Sequence, residues 1–203
     1  MIQQKLIYLV RHGETEWNAM KKFQGHTDIP LNDEGRKQAE SLIDLMAEIN
    51  PEIVLSSDLS RAIETAKIAC QKIGKEVQIH SDLRETNLGQ AEGMFRDDLF
   101  AQHGEESLKK WFSIAIVYCD FSFPDVETKM ECVKRVKGFL ESWLVQVPEE
   151  KIVIFSHGGV IRNMVHSSLN APTEPVMIHN CACQLVSYHP AEVQRWRYVR
   201  QIV

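Results

Sequence analysis

Short apolar runs rich in β-branched residues alternate along this chain with longer amphipathic stretches, and no other sequence feature constrains the fold as strongly. Leu6-Ile-Tyr-Leu-Val10 is continuously apolar, as a strand covered on both faces must be. Ile53-Val-Leu55 and Val77-Gln-Ile79 are shorter runs of the same kind, and Lys151-Ile-Val-Ile-Phe155 is a fourth. Between them, Ala39, Leu42, Ile43, Met46 and Ile49 make one helical stripe, capped by Asn32 or Asp33 and ended by Asn50-Pro51. Ala62, Ala66, Ala69 and Ile73 make another, with Ser57 or Asp58 as cap and Gly74 as stop. Met130, Val133, Val136, Leu140, Trp143 and Val147 mark one side of a long helix, and Ser156-His-Gly-Gly159 turns the fourth strand into a further one. Cys183 to Tyr188 and Val193 to Val199 read as a terminal strand pair turning around His189-Pro190. Strands separated by helices predict an α/β fold, a three-layer α/β/α sandwich whose mainly parallel sheet carries helices on both faces.

The stretch from about Gly89 to Tyr118 is the least regular, with one or two helices predicted in it. Trp111, Phe112 and Tyr118 there are read first as packing and second as a substrate lid. The expectation is a single domain over residues 1–203 with a helical lid insertion at about 89–125. Apolar residues make up 44% of the chain and charged residues 25%, so a full core is expected and disorder is not. The net charge of −5 speaks against a nucleic-acid partner while permitting a local cationic pocket. No stretch approaches the roughly 18 apolar residues of a membrane span, so no membrane association is expected. The start, Met1 to Val10, is too short in its apolar part for a signal peptide. Five cysteines, an odd count without a C-x-x-C pair, predict reduced thiols in a cytoplasmic protein. Cys181 and Cys183 alternate onto one strand face and are read as packing rather than metal ligands.

In open α/β sheets, ligands bind beyond the carboxyl ends of the strands. Val10 runs into Arg11-His12-Gly13, Leu55 into Ser56-Ser57-Asp58 and Phe155 into Ser156-His157-Gly158-Gly159, while the third strand leads to Arg84-Glu85. His12 is of a type that can attack as a nucleophile, and Arg11 can clamp an oxyanion with its planar fork. Amides at the helix start after His157 can hold an anion. Arg61, in the first turn of its helix, opposes the helix dipole unless an anion is present. Glu85 is placed to act as a general acid. Taken alone, Arg11 and His12 read equally well as solvated loop residues and Ser156-His157-Gly158-Gly159 as a plain strand-to-helix turn with a capping serine, whereas Glu85 reads more readily as a solvated loop charge and Arg61 as an exposed partner of Glu64 or Asp58. Two strand-terminal histidines beside glycines, with no cysteine or carboxylate cluster of metal spacing, favour anion chemistry over zinc.

Leu9-Val-Arg-His-Gly-Glu-Thr-Glu-Trp-Asn18 is followed by Gly25…Asp28-Ile-Pro-Leu31…Gly35…Gln38-Ala39 and by Ser56-Ser-Asp-Leu-Ser-Arg-Ala-Ile-Glu-Thr-Ala66. Leu83-Arg-Glu-Thr-Asn-Leu-Gly-Gln-Ala-Glu-Gly93 and Ser156-His-Gly-Gly159 come next. In this order and spacing the motifs resemble the histidine phosphatase superfamily, also called phosphoglycerate-mutase-like, over most of the chain. The resemblance implies that His12 becomes a transient phosphohistidine and that Arg11, Arg61 and His157 bind the phosphoryl oxygens. It implies that Asn18 and the amide of Gly158 assist, and that Gln24 and Gly25 bring loop groups toward the substrate. Glu85 would protonate the leaving oxygen and then activate water. Fixed cations and amides suit a phosphoryl group, whose charge is spread over its equatorial oxygens, so neither a metal nor a cofactor is expected.

The function expected is that of a phosphomonoesterase acting on a small phosphorylated metabolite and releasing inorganic phosphate. A cofactor-dependent phosphoglycerate mutase is the alternative, disfavoured by the short stretch from Leu88 to Phe155. An inactive phosphate-binding or scaffold protein is the alternative of another class, weakened by the presence of both histidines, both arginines and the glutamate. Among phosphatases the chain resembles α-ribazole phosphatases, broad-specificity sugar-phosphate phosphatases and fructose-2,6-bisphosphatase domains. It departs from many of them at Phe123-Pro-Asp-Val-Glu-Thr128, where Glu127 keeps a carboxylate but the glycines of a Pro-Gly-Gly-Glu-Ser-like stretch are gone. The physiological ester is not legible, and a homodimer is left open.

Overall fold

A computed structural model describes residues 4–203; Met1–Gln3, part of the start read above against a signal peptide, lie outside the described residues. The elements in chain order are β1 (Lys5–Arg11), α1 (Glu16–Ala19), α2 (Asp33–Ser41), α3 (Ile43–Ile49), β2 (Ile53–Ser57), α4 (Ser60–Ala69) and β3 (Val77–His80). There follow α5 (Arg96–His103), α6 (Glu105–Phe112), α7 (Lys129–Leu144), β4 (Lys151–Ser156), α8 (Gly158–His166), β5 (Cys183–Tyr188) and β6 (Trp196–Gln201). The sheet order is β3-β2-β4-β1-β5-β6. Its first four strands run parallel, and β5 and β6 close one edge antiparallel.

Alternation along the central strands divides the core into two layers. Ile7, Leu9, Leu55, Ile152 and Ile154 face one side, against Val136 and Leu140 of α7 and Ile161 and Val165 of α8. Val10, Val54, Val153 and Phe155 face the other, against Leu42, Met46, Ala66 and Ala69. Each side chain of this size, fully buried, contributes roughly 1.5–3 kcal/mol of transfer free energy, so neither face tolerates a polar swap. The mostly parallel sheet between two helical layers is the architecture that the alternation predicts. No helix among the described residues is long and apolar enough to cross a membrane.

Several local expectations shift. The first stripe breaks at Leu42 into α2 and α3, although Ala39, Leu42, Met46 and Ile49 all remain buried. Neither Ser57 nor Asp58 is the N-cap of α4: the cap position is Leu59, and the Ser60 N–H donates to Asp28 Oδ1 at 2.9 Å from a distant loop. Asp58 instead takes two hydrogen bonds from Arg84, at 2.7 and 2.6 Å. On α7 the fully inward row is Cys132, Val136, Leu140 and Leu144, while Met130 is 52% exposed. The last strand begins at Trp196 rather than Val193, because His189 N–H donates to Arg195 O at 2.7 Å and commits the residues between to the turn. Cys181 precedes β5 in a left-handed conformation (φ 58°), and it and Cys183 pack as free thiols in the second core layer.

The irregular middle segment folds into α5, α6 and short 3₁₀ turns around a cluster of its own. Leu88, Leu99, Leu108, Phe123 and Val126 form that cluster, with Phe23, Trp111 and Phe112 packed on it.

Candidate active site

Parallel pairing of β1 with β4 places Arg11 opposite Ser156, so His12 and His157 leave the sheet as neighbours. His12 N–H donates to Ser156 O at 3.0 Å and fixes this exit. The two imidazole centroids are 5.1 Å apart, and both rings are buried, at 2% and 0% exposure. His12 Nδ1 lies 2.6 Å from Gly13 O. A carbonyl can only accept, so Nδ1 carries the proton and Nε2 keeps its lone pair. Burial, then the charges of Arg61 and Arg11, hold His12 well below the usual imidazole range, and it is neutral at physiological pH. His157 is lowered in the same way, first by burial and then by Arg61. Arg61 Nε donates to its Nδ1 at 3.3 Å, which puts the His157 proton on Nε2, 2.9 Å from Ser57 Oγ.

Arg61, from the first turn of α4, is fully buried, and its ends donate to Thr27 O at 2.9 Å and Gly25 O at 2.8 Å. Burial pushes its pKa down to about 10, against the opposing pull of Glu85 and Asp28, so it remains a cation at neutral pH. Arg11, at the end of β1, donates from Nη1 to Ile178 O at 2.7 Å, while its buried Nε has no partner. That orphan N–H lies beside Gly158, where a Cβ would stand 3.3 Å from it. A buried, unpartnered donor on a cation calls for a partner, and a bound anion is one that would supply it. Glu85 reaches the N-terminus of α8 from across the sheet edge. Its Oε2 accepts from Gly159 N–H at 3.0 Å, and its Oε1 from Val160 N–H at 3.1 Å and Thr86 N–H at 2.9 Å. The helix start read as an anion cradle thus holds a carboxylate of the protein itself.

The predicted substrate-binding residues stand differently. Asn18 Oδ1 takes hydrogen bonds from Thr15 N–H and Asn180 Nδ2, at 3.3 and 3.2 Å, so its amide nitrogen is the end left to donate. Gln24 is buried and accepts from Thr15 Oγ1 at 2.9 Å. Gly25, at φ 55°, offers its carbonyl to Arg61, and a Cβ there would overlap the Glu92 carboxylate. Gly13 and Gly35 bring the His12 loop onto the start of α2 so closely that a Cβ on either would overlap backbone oxygen of the other segment.

Other site residues leave little mark in the sequence. Asn180 Nδ2 also donates to His12 O at 3.0 Å. Glu92 accepts from His26 N–H, Thr27 N–H and Thr27 Oγ1, and so shapes the loop that grips Arg61. Arg135 of α7 donates to Asp82 O and Arg84 O and binds Glu127 with two nitrogens, at 2.8 and 2.7 Å, clamping the turn before Glu85. Glu127, the carboxylate of the departing loop, is therefore an Arg135 partner. Arg162 lies four residues after Gly158 on α8, a spacing that shares a helix face and was the one available signal. Among the described residues, no group of three or more His, Cys, Asp or Glu is placed to hold a metal ion.

Residues 7–200 match the histidine phosphatase superfamily (branch 1). The chain is 33% identical over 185 residues to a probable phosphoglycerate mutase, GpmB, of Escherichia coli, covering 90% of this chain and 84% of that protein. A mycobacterial glucosyl-3-phosphoglycerate phosphatase in complex with VO3 superposes with a TM-score of 0.84 at 25% identity, over 97% of this chain and 98% of the other. A putative α-ribazole-5′-phosphate phosphatase of Escherichia coli has the same fold, with a TM-score of 0.78 at 24% identity over 97% of this chain and 95% of that one. Paired strand-end histidines among buried arginines, in a chain matched over almost its whole length, make it a member of branch 1 of the histidine phosphatase superfamily.

Proposed function

We propose that the chain is a phosphomonoesterase that hydrolyses a small phosphorylated metabolite through a phosphohistidine on His12. The observation that carries this reading is the buried imidazole whose Nδ1–H is committed to Gly13 O, which leaves Nε2 as a free nucleophile among cations. The Nε2 lone pair attacks phosphorus, and the ester P–O bond breaks with its electrons going to the leaving oxygen. That oxygen takes a proton from Glu85, whose Oε2 accepts a single backbone hydrogen bond and keeps a lone pair for the proton. Water then attacks the phosphohistidine, Glu85 receives its proton, the P–N bond breaks and inorganic phosphate leaves. Arg61, His157 and the orphan Nε of Arg11 surround the group in transit, with Asn18 Nδ2 and Gly158 beside them.

Acid-quenched and alkali-quenched incubations with a ³²P-labelled ester test this mechanism. The label should survive alkali and be lost in acid, and His12→Ala should abolish both labelling and turnover. A label retained in that variant would falsify the assignment. The likeness to a probable phosphoglycerate mutase supports a second reading, in which the phosphoryl group passes to another hydroxyl instead of water. Phosphate release measured beside 3- to 2-phosphoglycerate conversion separates the two.

A further inference from the structure

His26 takes no part in the chemistry above, yet its ring touches the backbone of the proton donor. His26 Nε2 lies 2.8 Å from Glu85 O. A carbonyl can only accept, so Nε2 carries the proton and donates it. The backbone on either side of His26 is engaged elsewhere: Gly25 O and Thr27 O accept from the two ends of Arg61, at 2.8 and 2.9 Å. The N–H of His26 itself donates to Glu92 Oε1 at 2.7 Å. Three consecutive residues thus hold a cation of the phosphoryl site through two carbonyls, and the backbone of Glu85 through one imidazole.

The restraint on Glu85 is therefore divided between its two ends. The carboxylate is held by the N–H groups of Thr86, Gly159 and Val160. The carbonyl is held by His26 and, at the longer distance of 3.3 Å, by Arg135 Nη2. Arg135 spreads its other donors over Asp82 O, Arg84 O and Glu127, so it secures the turn before Glu85 as a whole. His26 joins that turn to the loop that grips Arg61. Its ring stands on the wall of an open cleft with Asn87, Glu127 and Arg135, and it does not line the cavity formed by Glu85, Thr86 and Gly159. Whatever His26 does to the reaction is exerted through Glu85 and not by contact with substrate. A general acid works only within hydrogen-bond reach of the oxygen it protonates, and a misplacement of about 1 Å can cost on the order of 100-fold in rate.

We propose that His26 is a positioning residue for proton transfer: its Nε2–H bond to Glu85 O sets the proton donor against the loop that holds Arg61. The inference rests on the phosphomonoesterase reading, in which Glu85 protonates the leaving oxygen. Without that bond the carboxylate stays seated on α8, but its distance from a phosphoryl group bound at Arg61 is no longer set by the loop between them.

The test compares His26→Met with His26→Gln in the full-length protein. The two side chains are alike in length, but only the amide can donate from the place of Nε2. Each variant is assayed on propyl phosphate, whose alkoxide must be protonated as it leaves, and on 4-nitrophenyl phosphate, whose leaving group hardly needs a proton. The quantity read is kcat/KM, which reports transfer to His12 and not the later hydrolysis that all esters share. His26→Met should lose about tenfold or more on propyl phosphate and less than about threefold on 4-nitrophenyl phosphate, and His26→Gln should recover most of the loss. Thermal melts establish that the variants are folded, and His26→Ala is a second variant without a donor should His26→Met not fold. Equal losses on the two esters would mark His26 as a structural residue only. That outcome, an undiminished rate on propyl phosphate, or a loss that His26→Gln does not repair, overturns the proposal. Glu85→Gln assayed alongside separates the two levels of the argument. If it too slows both esters equally, Glu85 is not the proton donor, and the role of His26 falls with that assignment.

Discussion

At the scale of single residues, two buried imidazoles lie side by side among arginines, and neither has a carboxylate partner among the described residues. Both pKa values lie well below 6.5 in the folded protein, so each ring binds a proton more readily when the chain unfolds. Their contribution to stability is therefore complete above about pH 6.5 and is lost as pH falls from there toward the folded values, at no more than about 1.4 kcal/mol per pH unit for each ring. Urea titrations from pH 7.5 to 5 should show this fall, and His157→Asn, which cannot take up a proton, should flatten it. An unchanged slope in that variant would mean that His157 is not held neutral. The clustering of His12, Arg61, His157 and Glu85 was legible because each sits just past a strand end or in the first turn of a helix, at one edge of the sheet. The groups that fix them were not, because Gly13 O, Gly25 O and Thr27 O are backbone atoms that every residue type carries.

At the scale of elements, two glycines in helices should respond to alanine in opposite directions. Gly138 lies in the exposed interior of α7, where a Cβ meets nothing within 4 Å. Gly138→Ala should stabilise by about 0.5–1 kcal/mol, through propensity alone. Gly35, in the first turn of α2, gains the same propensity, but its Cβ would overlap the backbone oxygen and nitrogen of Glu14. Backbone cannot step aside as a side chain does, so overpacking of about 1–3 kcal/mol outweighs the gain. Gly35→Ala should lower the melting temperature and, by displacing the loop after His12, the turnover number. A melt unchanged from wild type would show that the loop yields freely. The helical stripes were legible because periodicity is written in consecutive residues. The cap of α4 by Asp28 was not, since it comes from a segment 32 residues upstream of Ser60.

On the scale of the molecule, α5 and α6 pack around a cluster separate from both core layers, and neither helix has a side-chain N-cap. Fewer apolar contacts and looser ends lower the free energy of local opening. Hydrogen exchange should therefore find the amides of α5 and α6 much faster than those of β1 and β4, whose strands are central and buried. Equal protection in the two regions would show one cooperative unit. The layered α/β plan followed from the strand–helix alternation. The order β3-β2-β4-β1-β5-β6 did not, because long crossovers leave no local trace of which strand each one rejoins.

His157 immediately precedes α8, the amides of Gly159 and Val160 grip Glu85, and Arg162 stands one turn further along the same nine-residue rod. These groups ride together. A tilt of that rod shifts the His157 ring, the seat of the Glu85 carboxylate and the Arg162 side chain in concert. Substitutions beneath it, at Val160, Ile161 or Val165, would consequently move all three jointly, and none could be repositioned there without disturbing the others.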